Sequence, residues 1–137
     1  MIKIGKDISH FSAYSCQPTN KKDLVLIMSA RFSKEGHNCD LNDIDVSLIT
    51  DMSFLFYDSK FNGDISNWNV SNVVNMTRMF AFSKFDGDIS GWDVRKVRDM
   101  SYMFYDAKFT GDISKWKINK NCNTTQMRVQ EQSLTSK

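Results

Sequence analysis

Proline is almost missing from this chain. A single Pro18 and six glycines in 137 residues leave no stretch that could serve as a low-complexity linker. Histidine is nearly as scarce, with His10 and His37 alone, which leaves catalysis little support. Cys16, Cys39 and Cys122 are odd in number and show no C-x-x-C spacing. They read as free thiols of a reducing compartment, neither a disulfide frame nor a zinc site. Long apolar runs are absent as well: Leu24 to Met28 is far too short to span a bilayer. The opening Met1-Ile-Lys-Ile-Gly-Lys-Asp carries no apolar core of the kind a secretory signal needs, so none is expected. A formal net charge of +2 is too small to imply a nucleic-acid or membrane partner by itself. These absences leave a single domain, expected to be cytoplasmic, whose 41% hydrophobic content suits a packed core.

What is present is a block of 24 residues that recurs without insertion or deletion. Asp51-Met52, Asn75-Met76 and Asp99-Met100 open three copies, and Phe61, Phe85 and Phe109 fall at the same step. Gly63, Gly87 and Gly111 keep the same register, as do Trp68, Trp92 and Trp116. A fixed period of this size marks stacked repeats, each burying its apolar face only against its neighbours. Residues that recur in every copy are then explained by stacking, and function belongs where the copies differ.

One half of each copy reads apolar-x-x-apolar-x-apolar: Leu41, Ile44, Val46; then Ile65, Trp68, Val70; Ile89, Trp92, Val94; and Ile113, Trp116, Ile118. This pattern predicts a short strand per copy and a parallel sheet of stacked strands. The other half places Met52, Leu55, Phe56 and Ser59 at i, i+3, i+4 and i+7, which predicts a short helix, with Asp51, Asn75 and Asp99 as its N-caps. The loop glycine of each copy suits a turn with positive φ. Ahead of the copies, Leu24, Ile27, Met28 and Phe32 predict an amphipathic capping helix over about 20–33. Behind them, Asn123 to Val129 keeps Met127 in register but replaces the phenylalanine with Arg128, which predicts a polar closing helix before a frayed tail over 130–137. The expected organisation is a capping segment over 1–36, repeats over 37–121 and a C-terminal cap over 122–137.

The run Phe-x-Gly-Asp-Ile-Ser-x-Trp-x-Val-x-x-Val-x-x-Met-x-x-Met-Phe, from Phe61 to Phe80 and again from Phe85 to Phe104, resembles the BspA-like leucine-rich repeat family. The resemblance covers roughly residues 37–127. It implies an α/β fold, a short leucine-rich-repeat solenoid with parallel strands on one face and short helices on the other, closed by an N-terminal helical cap. Many members are bacterial surface proteins that bind proteins or host surfaces, and no catalytic residues define the family.

Several constellations invite a sharper reading. The tryptophan column could be an aromatic platform, yet it sits at the central apolar position of its motif and reads as core. Asp64, Asp88 and Asp112 resemble the aspartates of calcium-binding repeats, but one per 24 residues is too sparse, and they read as loop acceptors. No phosphate loop, nucleophile elbow or H-E-x-x-H motif is present. No catalytic residue, metal or cofactor is expected.

Two surfaces remain. Between the core positions run the columns Asp43, Asn67, Gly91, Lys115; Asp45, Asn69, Asp93, Lys117; Ser47, Ser71, Arg95, Asn119; and Leu48, Asn72, Lys96, Lys120. Read along the stack, this face passes from acidic to amide to basic. Residues 1–88 hold nine basic and eleven acidic side chains, and residues 89–137 nine and five. Such a gradient would orient a partner of opposite polarity. The second surface is the outer side of the predicted helices, which carries Phe54, Tyr57, Phe82, Tyr102 and Tyr105, either as a contact patch or tucked between adjacent helices. The expected function is a non-catalytic module that binds a protein through the charge-graded face, as a small intracellular inhibitor or adaptor. Rival readings are a surface adhesin and a nucleic-acid binder using Arg95, Lys96, Arg98, Lys115, Lys117 and Lys120. No membrane partner is expected, and a monomer is favoured.

Overall fold

The computed structural model describes residues 15–128. The tail expected over 130–137 and His10 lie outside them. One helix, α1, spans Lys21–Glu35. Asn20 caps it by accepting from the Asp23 N–H at 2.9 Å, and Gly36 ends it at φ 86°, its N–H donating to Phe32 O at 2.8 Å. Leu24 and Met28 are buried and Ile27 and Phe32 pack on the same core, so the helix seals the first copy. Its polar side is tied down too. Lys21 Nζ donates to Ser53 O and Oγ, both at 2.9 Å, and Arg31 Nη2 reaches Asp40 O at 2.8 Å.

Beyond α1, copies stack in parallel 24-residue register, with bridges from Asp40 to Asp64, Asp51 to Asn75, Asn75 to Asp99 and Asp99 to Asn123. These bridges are isolated. Among the described residues there is no sheet and no second helix, so the expected leucine-rich-repeat solenoid, with parallel strands on one face and short helices on the other, does not form.

The segments read as strands are β-turns. The N–H of Ile44 donates to Leu41 O, Ile49 to Val46, Trp68 to Ile65, and Val73 to Val70, each an i→i+3 closure at 3.0–3.1 Å. An Asp or Asn side chain precedes each turn and accepts from the N–H two residues on. Asp40 holds Asn42, Asp45 holds Ser47, Asp64 holds Ser66 and Asn69 holds Ser71, at 2.8–3.0 Å. Such local acceptors offer the backbone an alternative to a ladder, and here they take it.

The segments read as helices are β-turns as well. Asp51, Asn75 and Asp99 accept from the N–H two residues on, much as an N-cap would. The helix does not follow, because alternate N–H groups leave for the next copy. Met52 donates to Asn75 O, Phe54 to Thr77 O, Phe56 to Met79 O and Asp58 to Ala81 O, at 2.8–3.0 Å. The N–H groups between them, of Leu55, Tyr57 and Ser59, close turns on the carbonyl three residues back. The third position of the first and last of these turns is left-handed, as a type II turn requires. Phe54 (φ 62°), Asp58 (52°), Arg78 (52°), Phe82 (59°), Tyr102 (57°), Asp106 (49°) and Gln126 (47°) all fall there. Residues 123–127 repeat the pattern, so the closing helix expected there is a turn, Met127 N–H to Thr124 O.

The loop glycines also serve differently from expectation. Gly63, Gly87 and Gly111 have no positive φ. A Cβ on Gly63 would lie 1.8 Å from Cys39 O, and on Gly87 and Gly111 within 2.7 Å of the Phe85 and Phe109 rings. They are glycine because rings and backbone occupy the space.

The core is a set of aligned columns. Phe56, Phe80 and Phe104 stack at 5.4 and 5.5 Å within 6° of parallel, beside Phe61, Phe85 and Phe109 at 6.0 and 6.1 Å. Each tryptophan is buried and donates its indole N–H to the preceding copy: Trp68 to Leu41 O, Trp92 to Ile65 O, Trp116 to Ile89 O, at 2.9–3.1 Å. Arg128 ends the phenylalanine column. Its guanidinium lies 6.0 Å from the Phe104 ring and 5.1 Å from Phe109, and Nη2 donates to Gly111 O at 2.7 Å.

Candidate binding surfaces

The charge-graded columns run over the turns that begin at Leu41, Ile65, Ile89 and Ile113, and not over strands. Their acidic end is already engaged within the chain. Asp43 accepts from Arg31 Nη1 at 2.9 and 3.0 Å and from Ser15 Oγ at 2.6 Å. Burial would raise its carboxyl, but these hydrogen bonds outweigh it and hold it below the usual range. Asp45 accepts from Gln17 Nε2 at 2.8 Å. In the middle, Asn67 is exposed and its N–H donates to Asn42 Oδ1, while Asn69 holds the Ser71 N–H.

The basic end is more open. Arg95 is half spent, its Nε and Nη2 each 2.9 Å from the Asp93 carboxylate, whose titration is held low by that contact. Lys96 Nζ donates to Asn72 Oδ1 at 3.0 Å. Lys115, Lys117 and Lys120 are exposed and make no ion pair among the described residues. Lys115 and Lys117 border a shallow, open depression of about 350 Å³ with Ser90, Gly91, Trp92, Asp93, Val94 and Arg95.

The aspartates of the Gly-Asp loops are turn acceptors. Asp64, Asp88 and Asp112 each take the N–H two residues on and hold their carboxyls below the usual range by that bond first. No group of three His, Cys, Asp or Glu among the described residues is arranged to hold a metal ion.

The aromatic surface proves continuous. Phe54 meets Tyr57 at 5.3 Å; Tyr57 meets Phe82 edge-on at 5.7 Å; Phe82 meets Tyr105 at 5.7 Å; Tyr105 meets Tyr102 at 5.5 Å. Arg78 closes the circuit, its guanidinium 4.4 Å from the Tyr102 ring and 5.9 Å from Phe54. Phe54, Tyr57 and Phe82 are 48, 43 and 40% exposed, whereas the stacking rings beneath are sealed. Arg78 escapes a reading that considers aromatics alone. Its signal is register: it stands 24 residues from both Phe54 and Tyr102. Phe54, Arg78, Phe82 and Tyr102 all occupy left-handed backbone, which costs a non-glycine residue about 1–2 kcal/mol. Bulky rings on the outside of such positions are rare, and they stand where glycine would be the easier choice.

No helix among the described residues is long and apolar enough to cross a membrane. No curated protein and no solved structure matches the chain. A family model described as "Mycoplasma protein of unknown function, DUF285" matches residues 26–137. The chain therefore belongs to the DUF285 family, which is related to the BspA-like repeat proteins.

Proposed function

We propose that this protein is a non-catalytic binding module whose partner is a protein, gripped by the aromatic surface around Arg78. One observation carries the reading: five partly exposed rings and one arginine form a closed circuit, and Phe54, Arg78, Phe82 and Tyr102 of it stand on left-handed backbone. Tyrosine, phenylalanine and arginine are the residues that concentrate binding energy at protein interfaces. Ring–ring contacts fix the side chains before a partner arrives, which lowers the ordering cost of association. Asp58 and Asp106 share the Phe82 column and give the patch an acidic flank, so a partner with an apolar anchor and basic rim fits it best.

The charge-graded face, the first choice from sequence, supports this role less well. Arg31, Ser15 and Gln17 occupy its acidic end and leave only its basic end available. The three cysteines are free thiols, which favours a reducing, cytoplasmic setting and a role as intracellular inhibitor or adaptor. An adhesin role, as in many BspA-like proteins, would instead place the same patch against a host surface.

The test is comparative affinity capture from host lysate with wild type and with Tyr57→Ser/Tyr105→Ser. Neither tyrosine is left-handed, so the backbone is undisturbed. Partners lost from the variant, at an unchanged melting temperature, support the patch. Equal capture by both proteins would sink the assignment.

A further inference from the structure

The depression beside Gly91 has a cause visible in the repeat itself. The column reads Asp43, Asn67, Gly91, Lys115, so one copy lacks a side chain that its neighbours carry. Packing does not demand the glycine. A Cβ built there meets nothing within 4 Å, in contrast to Gly63, Gly87 and Gly111. Backbone does not demand it either, for Gly36 is the one glycine with positive φ among the described residues. Its absence opens a space of about 350 Å³ between Arg95 on one copy and Lys115 and Lys117 on the next. Neither lysine has a carboxylate bonded to it among the described residues, though Asp112 lies close enough to feel Lys115.

We propose that this depression binds a compact oxyanion, supplied by an acidic segment of a protein. Three cations from two copies line it against the single carboxylate of Asp93, with Gly91 and Trp92 between them, and the volume suits a carboxylate with its neighbours. Arg95 gives Nε and Nη2 to Asp93 in a two-point contact, and its Nη1 donors are left over for a ligand in the depression it lines. A nucleic-acid strand needs a continuous basic track along its phosphates. Here Asp88, Asp93 and Asp112 interrupt the same copies, which favours an isolated acidic cluster over a polyphosphate backbone. The site lies in the other half of the repeat from the aromatic patch and stands independently of it.

The experiment titrates the full-length protein, isotope-labelled for amide NMR, with three probes: a hexaglutamate peptide, a ten-residue thymidine oligonucleotide and inorganic phosphate. The proposal expects hexaglutamate to move the Gly91, Trp92 and Lys115 amides selectively. Gly91→Asn keeps every charge and installs the residue of the preceding copy, yet its side chain fills the depression and should weaken hexaglutamate by roughly tenfold or more. Lys115→Gln/Lys117→Gln should do the same, whereas Tyr57→Ser/Tyr105→Ser should bind hexaglutamate as wild type does. Unchanged affinity in Gly91→Asn, or shifts spread over all surface lysines, overturns the site. Tighter binding of the oligonucleotide, weakening steeply with salt, overturns the assignment to an acidic protein segment. Phosphate moving the same amides while hexaglutamate does not would overturn it equally.

Discussion

Replacing Phe54 by glycine and, separately, by alanine gives two variants that lose the same ring, so their difference reports on backbone alone. At φ 62° a Cβ costs about 1–2 kcal/mol. Glycine forfeits about 0.4–1 kcal/mol through the extra freedom of its unfolded chain. Phe54→Gly should therefore be more stable than Phe54→Ala by about 1 kcal/mol. A helix over the same residues predicts the opposite order, alanine ahead by about 1 kcal/mol. The two architectures thus differ by about 2 kcal/mol and in sign. Urea unfolding reads the difference directly: with a slope of about 1–3 kcal/mol per molar, 1 kcal/mol moves the midpoint by roughly 0.3–1 M. Phe82 and Tyr102, at φ 59° and 57°, should repeat the result. Ala30→Gly, in an exposed turn of α1, supplies the control and should lose about 1 kcal/mol. Alanine equal to or ahead of glycine at all three aromatic positions would refute the turn ladder and the strain argument built on it.

The glycines separate into two kinds by the same measurement. Gly63→Ala drives a Cβ to 1.8 Å from Cys39 O, so backbone must shift between copies and the cost should exceed about 2 kcal/mol; Gly91→Ala, in open space, should stay within about 0.5 kcal/mol, and near-equal midpoints would contradict the packing described. Acid should weaken the fold in a defined window. Asp64, Asp88 and Asp112 titrate lower when folded than when unfolded, so their stabilisation is complete above the ordinary aspartate pKa of about 3.9 and fades as pH falls through the lowered values. A triple Asp→Asn variant keeps the turn acceptor, as Asn69 does for Ser71, and should flatten the fall in melting temperature as pH drops below about 4; an unaltered acid limb would show those carboxylates to be irrelevant.

The columns of side chains are legible in the sequence. Trp68, Trp92 and Trp116 recur at a central apolar position, and each is buried with its indole N–H on the preceding copy. The α1 cap was equally plain from Leu24, Ile27, Met28 and Phe32. The spacing of three is ambiguous. Met52 and Leu55, or Leu41 and Ile44, are brought together by a β-turn as well as by a helix or a strand motif, because each closure joins residues three apart. Phe54, Tyr57, Phe82, Tyr102 and Tyr105 are legible as a surface from sequence, but its centre, Arg78, is not. Register alone could have marked it, as the cation between two rings one copy away on either side.

By itself the sequence determined the 24-residue period, which residues align from copy to copy, and which of those columns are apolar enough to be sealed. These follow from composition at fixed positions, since burial of a repeated apolar column needs only stacking. The tertiary structure alone decided where each backbone N–H goes. Met52, Phe54, Phe56 and Asp58 donate to the next copy, and that choice forbids the helix, puts bulky residues in left-handed turns and turns Phe54, Tyr57, Phe82, Tyr102 and Tyr105 outward around Arg78. Hydrogen bonds between segments 23 residues apart have no signature in local spacing. They are settled only when the copies meet.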